Sequence, residues 1–287
     1  MLLAGEPVKL ERRPGMENVW RVTESLYSGS SPEGAPAFAG LQELGIRTIV
    51  SVDGMRPEVE LARQYGMEYV HIPLPYSGIS EAARQQLARV MSDRPGPVFV
   101  HCHHGRHRGP AAAAVCGLFG QQLSSEAALQ YLRLAGTGEN YQGLWQAVRN
   151  WEPLPPGTVL PELQSSVDPG SVAEAMVRMD AAWGELQRWG KAESAAGEAE
   201  RTAARLLTEE VRELLRRSDL SWSQELRAEF VKFQQQAAAL EEDLRGADSA
   251  PAKSRLEALG RSCQSCHHGY RDNSPAQTPV AEQRPQR

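Results

Sequence analysis

The sequence predicts an α/β layer with a mainly parallel sheet flanked by helices, followed by an all-α antiparallel four-helix bundle. Three observations support this. Short apolar runs alternate with helix-period stretches as far as residue 109. A proline-rich stretch without periodicity interrupts the chain at 151–170. Beyond it, apolar residues recur at spacings of three and four only.

Taken in order, the first half offers candidate strands at 19–22, 46–52, 68–72 and 98–101, with helical stretches at 37–44, 57–65 and 80–91. After residue 109 the pattern turns helical, through AAAAVCGLFG, SSEAALQYLRLA and YQGLWQAVRNW. Residues 1–152 form the first expected domain, 153–169 a linker, and 170–272 the second domain. Ser171 with Glu174, and Ser221 with Gln224, match capping-box spacing at helix starts. Four apolar stripes follow. They are Val172, Met176, Met179, Trp183, Leu186; then Leu207, Val211, Leu214; then Trp222, Leu226, Phe230, Phe233, Ala237, Leu240, Leu244; and last Leu256, Leu259, Cys263, Cys266, Tyr270. Four amphipathic helices with short connections make a bundle. The polar, proline-containing tail at 273–287 is expected to be disordered.

Composition narrows the function classes. A chain of 287 residues has room for two cores. Its formal net charge of −5 gives no general attraction for nucleic acid, and none is expected as a partner. No apolar run is long enough to span a bilayer, and the start lacks the charged and apolar regions of a secretory signal. The cysteines are Cys102, Cys116, Cys263 and Cys266, too few and too grouped for a disulfide framework. Cys116 falls about 12 Å along the helix after the first site and reads as a small buried residue.

The first chemical site is VFVHCHHGRHRGP, residues 98–110. A β-run ends at His101, a loop follows, and an alanine-rich helix begins near Gly109. Five residues separate Cys102 from Arg108. A loop of that length between strand and helix can curl so that its backbone N–H groups converge on an anion. The helix N-terminus adds positive potential, and Arg108 adds a bidentate clamp. A field of this kind favours thiolate over thiol, and a thiolate beneath a bound phosphate is a placed nucleophile.

This segment resembles the signature loop of the protein tyrosine and dual-specificity phosphatase superfamily, over roughly residues 18–150. The resemblance implies a phosphorylated or other anionic substrate and Cys102 as the nucleophile that becomes phosphorylated. It also implies Arg108 as the phosphate clamp and transition-state stabiliser. The phosphate cradle is then His103, His104, Gly105, Arg106, His107 and Arg108. Two features depart from the family. Gly109 stands where Ser or Thr usually follows the arginine, and the loop PYSGIS has no aspartate to serve as general acid. Tyr76 and Ser77 are too weakly acidic to replace it. Asp53, at the end of an earlier strand, is the candidate substitute, with a turn cap as its other reading. His103, His104 and His107 read as substrate-side lining, with metal as the alternative. His71 and His101 read as strand residues satisfied by hydrogen bonds. No metal other than a haem iron is expected.

The second site is Cys263, Cys266, His267: C-x-x-C-H, the attachment pattern of c-type haem. Two thiols one helical turn apart suit thioethers to the two haem vinyl groups, and the next histidine reaches the iron. Zinc wants four ligands, and no second Cys/His pair stands in this domain. A thioredoxin-type pair would open a helix after a strand. On the last helix of a bundle, the pattern resembles the cytochrome c′ superfamily over about residues 170–272. That resemblance implies one covalent haem c per chain, with His267 as proximal ligand and Arg271 at a propionate. Met176 and Met179, on the first stripe, are candidates for the other face of the iron or ordinary core residues. An open iron favours gases such as NO or CO; a closed one favours electron transfer with a redox partner. Pairing of two copies through their first helices is a further implication.

Covalent attachment takes place outside the bacterial cytoplasm, so this site implies an exported, periplasmic protein. Two functions fit the whole chain. One is a phosphomonoester hydrolase whose haem senses redox state or a gas. The other is a haem electron carrier or gas-binding protein whose first domain only binds anions or docks.

Overall fold

The computed structural model describes residues 6–94, 96–139, 141–168, 172–192, 195–217, 222–246 and 250–272. The chain divides into two compact units, Met1–Glu174 and Ala175–Arg287.

In the first unit, β1 (Val8–Lys9), β2 (Trp20–Arg21), β3 (Leu26–Ser30), β4 (Thr48–Ser51), β5 (Glu68–His71) and β6 (Val98–Cys102) form one sheet in the order β1-β2-β3-β6-β4-β5. β3, β6, β4 and β5 are parallel, and the β1–β2 edge is antiparallel. The expected strand at 19–22 is therefore part of this antiparallel edge, shortened to Trp20–Arg21. β3 has no counterpart in the sequence reading. Its five residues, LYSGS, are all buried, yet two are serine and one is glycine, so neither alternation nor an apolar run marks it.

Alternation of side chains sorts the core into two layers. Val50, Val70, Val98 and Val100 face α3 (Glu81–Asp93), α4 (Arg108–Phe119), α5 (Ser125–Ala135) and α6 (Gln142–Arg149). Ile49, Tyr69 and Phe99 face α1 (Gly34–Glu43) and α2 (Val59–Gln64) on the other side. α4 is buried from Arg108 to Leu118, which its run of alanines permits by leaving no large side chain on any face. Ser80 and Ser124 cap α3 and α5 by accepting from Ala83 N–H and Ala127 N–H.

The proline-rich segment, expected as a spacer, instead lies along this unit. Arg84 donates to the Glu152 carbonyl at 2.6 Å, and Arg89 to those of Leu160 and Pro161 at 2.8 and 3.2 Å. Leu163 packs against the core, and the His71 N–H donates to the Gln164 carbonyl. The first unit therefore runs past residue 152, because a chain without its own periodicity is held by side chains of α3 and β5.

The second unit is built from α7 (Val172–Gly190), all but its first three residues, α8 (Glu198–Arg216), α9 (Gln224–Asp243) and α10 (Ala250–Cys266), continued by a π-helical turn at His267–Asp272. Cross-helix pairs give the directions. Arg205 meets Glu241 while Arg227 meets the Leu215 carbonyl, so α8 and α9 are antiparallel. Arg255 meets Asp243 while Ser262 meets Gln236, so α9 and α10 are too. A Cβ on Gly190 would strike Leu256, and one on Gly260 would crowd the Trp183 ring, which sets α7 antiparallel to α10. Leu186, Leu207, Val211, Leu240 and Leu259 are the buried centre of the expected stripes. The start of α9 differs from expectation. Ser223, not Ser221, caps it by accepting from Leu226 N–H at 3.1 Å, and Ser221 lies outside the described residues. Ser171, the side chains of Glu174 and Arg271, and the tail from residue 273 also lie outside them.

Candidate functional site

Cys102 ends β6 in the centre of the parallel sheet, and Arg108 opens α4. The loop between them is tethered through its carbonyls. His103 O accepts from Ser31 N–H at 3.0 Å, Gly105 O from Asn18 Nδ2 at 2.8 Å, and Arg106 O from Thr137 Oγ1 at 2.8 Å. In a trans peptide the N–H points opposite to the carbonyl. The amides of His104, Arg106 and His107 therefore face away from those partners, the arrangement of an anion-binding nest. Gly105 is required at its place. Its φ is +65°, and a Cβ there would lie 2.3 Å from the Gly29 carbonyl carbon.

Arg108 is 1% exposed and Asp53 3%. Arg108 Nη2 donates to Asp53 Oδ1 at 3.0 Å and to the Tyr76 hydroxyl at 2.9 Å; Nη1 donates to the Leu74 carbonyl at 3.2 Å. The guanidinium also lies 4.1 Å from the centre of the Tyr76 ring. Asp53, the candidate substitute acid whose other reading is a turn cap, accepts from Gly54 N–H at 2.8 Å as a turn cap does, and also from Arg108. The reason is topological. β4 is the neighbour of β6, so the carboxylate at its end reaches the first turn of α4. At Gly109, an added Cβ would sit 3.4 Å from Cys102 Sγ and 3.0 Å from its amide nitrogen. This is where a hydroxyl would meet the sulfur, and the chain has none.

The histidines separate by role. The rings of His103 and His104 meet at 4.1 Å, tilted by 54°, while His107 meets Tyr141 at 4.3 Å, tilted by 35°, and accepts from Gly138 N–H at Nδ1. Among the described residues, no group of three or more His, Cys, Asp or Glu side chains is placed to hold a metal ion. His101 and His71 are hydrogen-bonded strand residues, His101 to the Tyr69 hydroxyl at 2.9 Å and His71 to the Asp53 carbonyl at 2.9 Å. Burial pushes the His101 imidazole down to about 4 and lowers that of His71. Cys116 is fully buried, and burial pushes its thiol up to about 12, as suits an inert core residue.

Sequence reasoning passed over two residues that shape this site. Asn18 has φ +49°, donates to Gly105 and to Ala135, and accepts from the Trp20 indole N–H. An isolated asparagine before a strand carries no signal of that. Tyr76, too weakly acidic to serve as a proton donor, holds the guanidinium instead.

In the second unit, Cys263 and Cys266 lie one turn apart and half-buried at the end of α10. Burial raises both thiols, Cys263 to about 11, and Glu229 of α9 adds to the effect at Cys266. The antiparallel pairs place Met176, Met179, Phe233 and the two cysteines at one level of the bundle. Of these Met179 is buried, while Met176, Phe233 and both cysteines are only half-buried, as are nearby Trp183 and His267. At the other end Leu240, Leu244 and Leu256 are closed over. An apolar, half-open bundle end with two thiols one turn apart and a histidine after them fits a haem. Cys263, Cys266 and His267 would hold it, with Met176 or Met179 on the helix across from them.

Fold and loop together give the first unit its likeness: its sheet, flanking helices and Cys-x5-Arg loop resemble those of the dual-specificity phosphatases. In particular, the N-terminal half matches the dual specificity protein phosphatase TpbA of Pseudomonas aeruginosa. It is 29% identical over 124 residues, which is 42% of this chain and 56% of TpbA. The chain thus spans about half the length of the curated relatives it matches. A crystal structure of TpbA in complex with phosphotyrosine aligns at 24% identity and a TM-score of 0.40, covering 48% of this chain and 91% of that one. The catalytic core of the yeast (S. cerevisiae) PP-IP phosphatase SIW14 aligns at 19% identity and a TM-score of 0.42, covering 49% and 89%. In the second unit, residues 218–271 match the family described as Cytochrome C′, which supports haem binding there.

Proposed function

We propose that the first unit hydrolyses phosphomonoesters through Cys102, and that the second carries a covalent haem c in an exported bacterial protein. The observation that carries the reading is the loop itself, with outward carbonyls, a cysteine at its base and a buried arginine at the helix start. The Cys102 sulfur attacks phosphorus as the ester P–O bond breaks, and the leaving oxygen takes its proton from water. Water then cleaves the S–P bond, releasing inorganic phosphate and returning the sulfur. Arg108 binds two phosphate oxygens throughout and takes up charge as it develops. Asp53 is engaged as an acceptor, and residues 75–80 hold no carboxylic acid to hand the leaving group a proton. Substrates with acidic leaving groups, such as aryl phosphates, are therefore favoured.

Cys263 and Cys266 would hold the haem vinyl carbons, His267 its iron, and Arg271 a propionate. When bound, the haem supplies an iron that exchanges electrons or takes a small gas. Gly109 and the lack of a carboxylic acid in residues 75–80 favour a second reading, in which the first unit binds anions without turning them over. Assay of purified full-length protein with an aryl phosphate separates the two. Slow release of the phenol, abolished in Cys102→Ser, supports the hydrolase. Inactivity of both proteins, with phosphate still protecting Cys102 from alkylation, leaves the binding module.

A further inference from the structure

The loop is not the only part of the first unit that reaches Arg108. The guanidinium rests on Asp53, and the main-chain carbonyl of Asp53 accepts from His71 Nε2 at 2.9 Å. Nδ1 of the same ring lies 3.0 Å from the amide of Val167. An amide N–H can only donate, so Nδ1 is the acceptor and Nε2 carries the proton. Burial lowers the His71 imidazole from its ordinary value, which keeps this neutral tautomer in place at pH 7. His71 thus spans two stretches of chain 18 residues before and 96 residues after it. The later one is the strap along α3 and β5, fastened by Arg84, Arg89 and Leu163 and by an Arg56–Asp168 pair at 3.3 Å.

We infer that the strap at 152–168 is part of the phosphate-binding apparatus and that His71 is its positioning residue. This rests on the phosphate-site reading above. The strap fixes the ring through Val167, the ring fixes the Asp53 peptide, and the Asp53 carboxylate fixes the guanidinium. A clamp that must meet two phosphate oxygens is sensitive to displacements of an ångström or less. The imidazole touches no substrate; it acts by setting where Asp53, and so Arg108, stands.

The test uses the full-length chain and inorganic phosphate as the probe. The quantity read is the phosphate concentration that halves alkylation of Cys102 by iodoacetamide, followed peptide by peptide in a mass spectrometer. Val167→Pro removes the donor to Nδ1 and restrains the backbone there, on a half-buried strap residue. His71→Phe keeps the ring volume without either hydrogen bond. Both should raise the half-protecting concentration roughly tenfold or more. His71→Gln offers an acceptor and a donor to the same two partners and should recover most of the loss. A purely structural role would lower the melting temperature of both His71 variants and leave the phosphate value of Val167→Pro unchanged. An unchanged value in Val167→Pro therefore overturns the inference, whether or not His71→Phe folds. Absence of any protection in the unaltered protein overturns the phosphate-site reading and this inference together.

Discussion

Gly105 and Arg108 show how closely single residues are held at the loop. With φ at +65° and main-chain atoms of Gly29 and Ser30 within 2.6 Å of any Cβ, Gly105 has no substitute. Gly105→Ala should cost roughly 2–5 kcal/mol, from backbone strain and overpacking together, read as a lowered urea midpoint at unchanged slope. Asp53 meets Arg108 where both are almost fully buried, so removing the carboxylate leaves a buried cation short of its counter-charge. Asp53→Ala should therefore lose about 3 kcal/mol, and added phosphate should restore part of it by supplying negative charge to the same guanidinium. If phosphate leaves the melting temperature of that variant unmoved, Arg108 is not where phosphate binds. Both residues stood out in the sequence through their spacing, but the role of Asp53 did not. Its pairing depends on β4 lying beside β6, which no local pattern encodes.

Among the elements, β5 and β6 carry a pH dependence in their buried histidines. His101 on β6 is held neutral down to about 4, and His71 on β5 is shifted the same way, in both cases chiefly by burial. The folded value of His101 lies below the ordinary 6.5, so between about 4 and 6.5 the unfolded chain binds a proton that the folded chain refuses, and His71 acts in the same direction. Stability is then complete above pH 6.5 and falls as pH drops through that window, by up to about 1.4 kcal/mol per pH unit from His101. Urea midpoints at pH 7 and pH 4.5 measure this, and His101→Gln should flatten the dependence; equal midpoints in the unaltered protein would sink the argument. The same strands explain what was legible. Ile49, Val50, Tyr69, Val70 and Val98 through Val100 announce β4, β5 and β6 because apolar side chains leave on both faces. β3 is silent because its serines meet partners inside the protein, Ser28 with Tyr131 at 2.5 Å and Ser30 with the Glu17 amide at 2.7 Å.

Across the whole molecule, the proposal sets two chemistries in series on one chain, and the second depends on Cys263, Cys266 and His267. Made in a bacterium with the haem-attachment machinery, the protein should show a c-type absorption spectrum and an intact mass raised by one haem. A Cys263→Ala, Cys266→Ala double variant should lose the mass increase, while Cys102→Ser should keep it. Colourless protein of unmodified mass would remove the haem from the account and leave the phosphate site standing alone.

The sequence by itself determined the α/β-then-helical order, the Cys102–Arg108 loop and the C-x-x-C-H turn, because each is written in near-neighbour spacing. Periodicity of 2 or 3.6, a five-residue gap and a one-turn pair are all local quantities. The tertiary structure alone decided the partner of Arg108, the tether on Gly105, the fastening of the proline-rich strap and the place of β3. Each of these joins groups far apart along the chain, and only the packing of strands and helices brings such groups within hydrogen-bond reach.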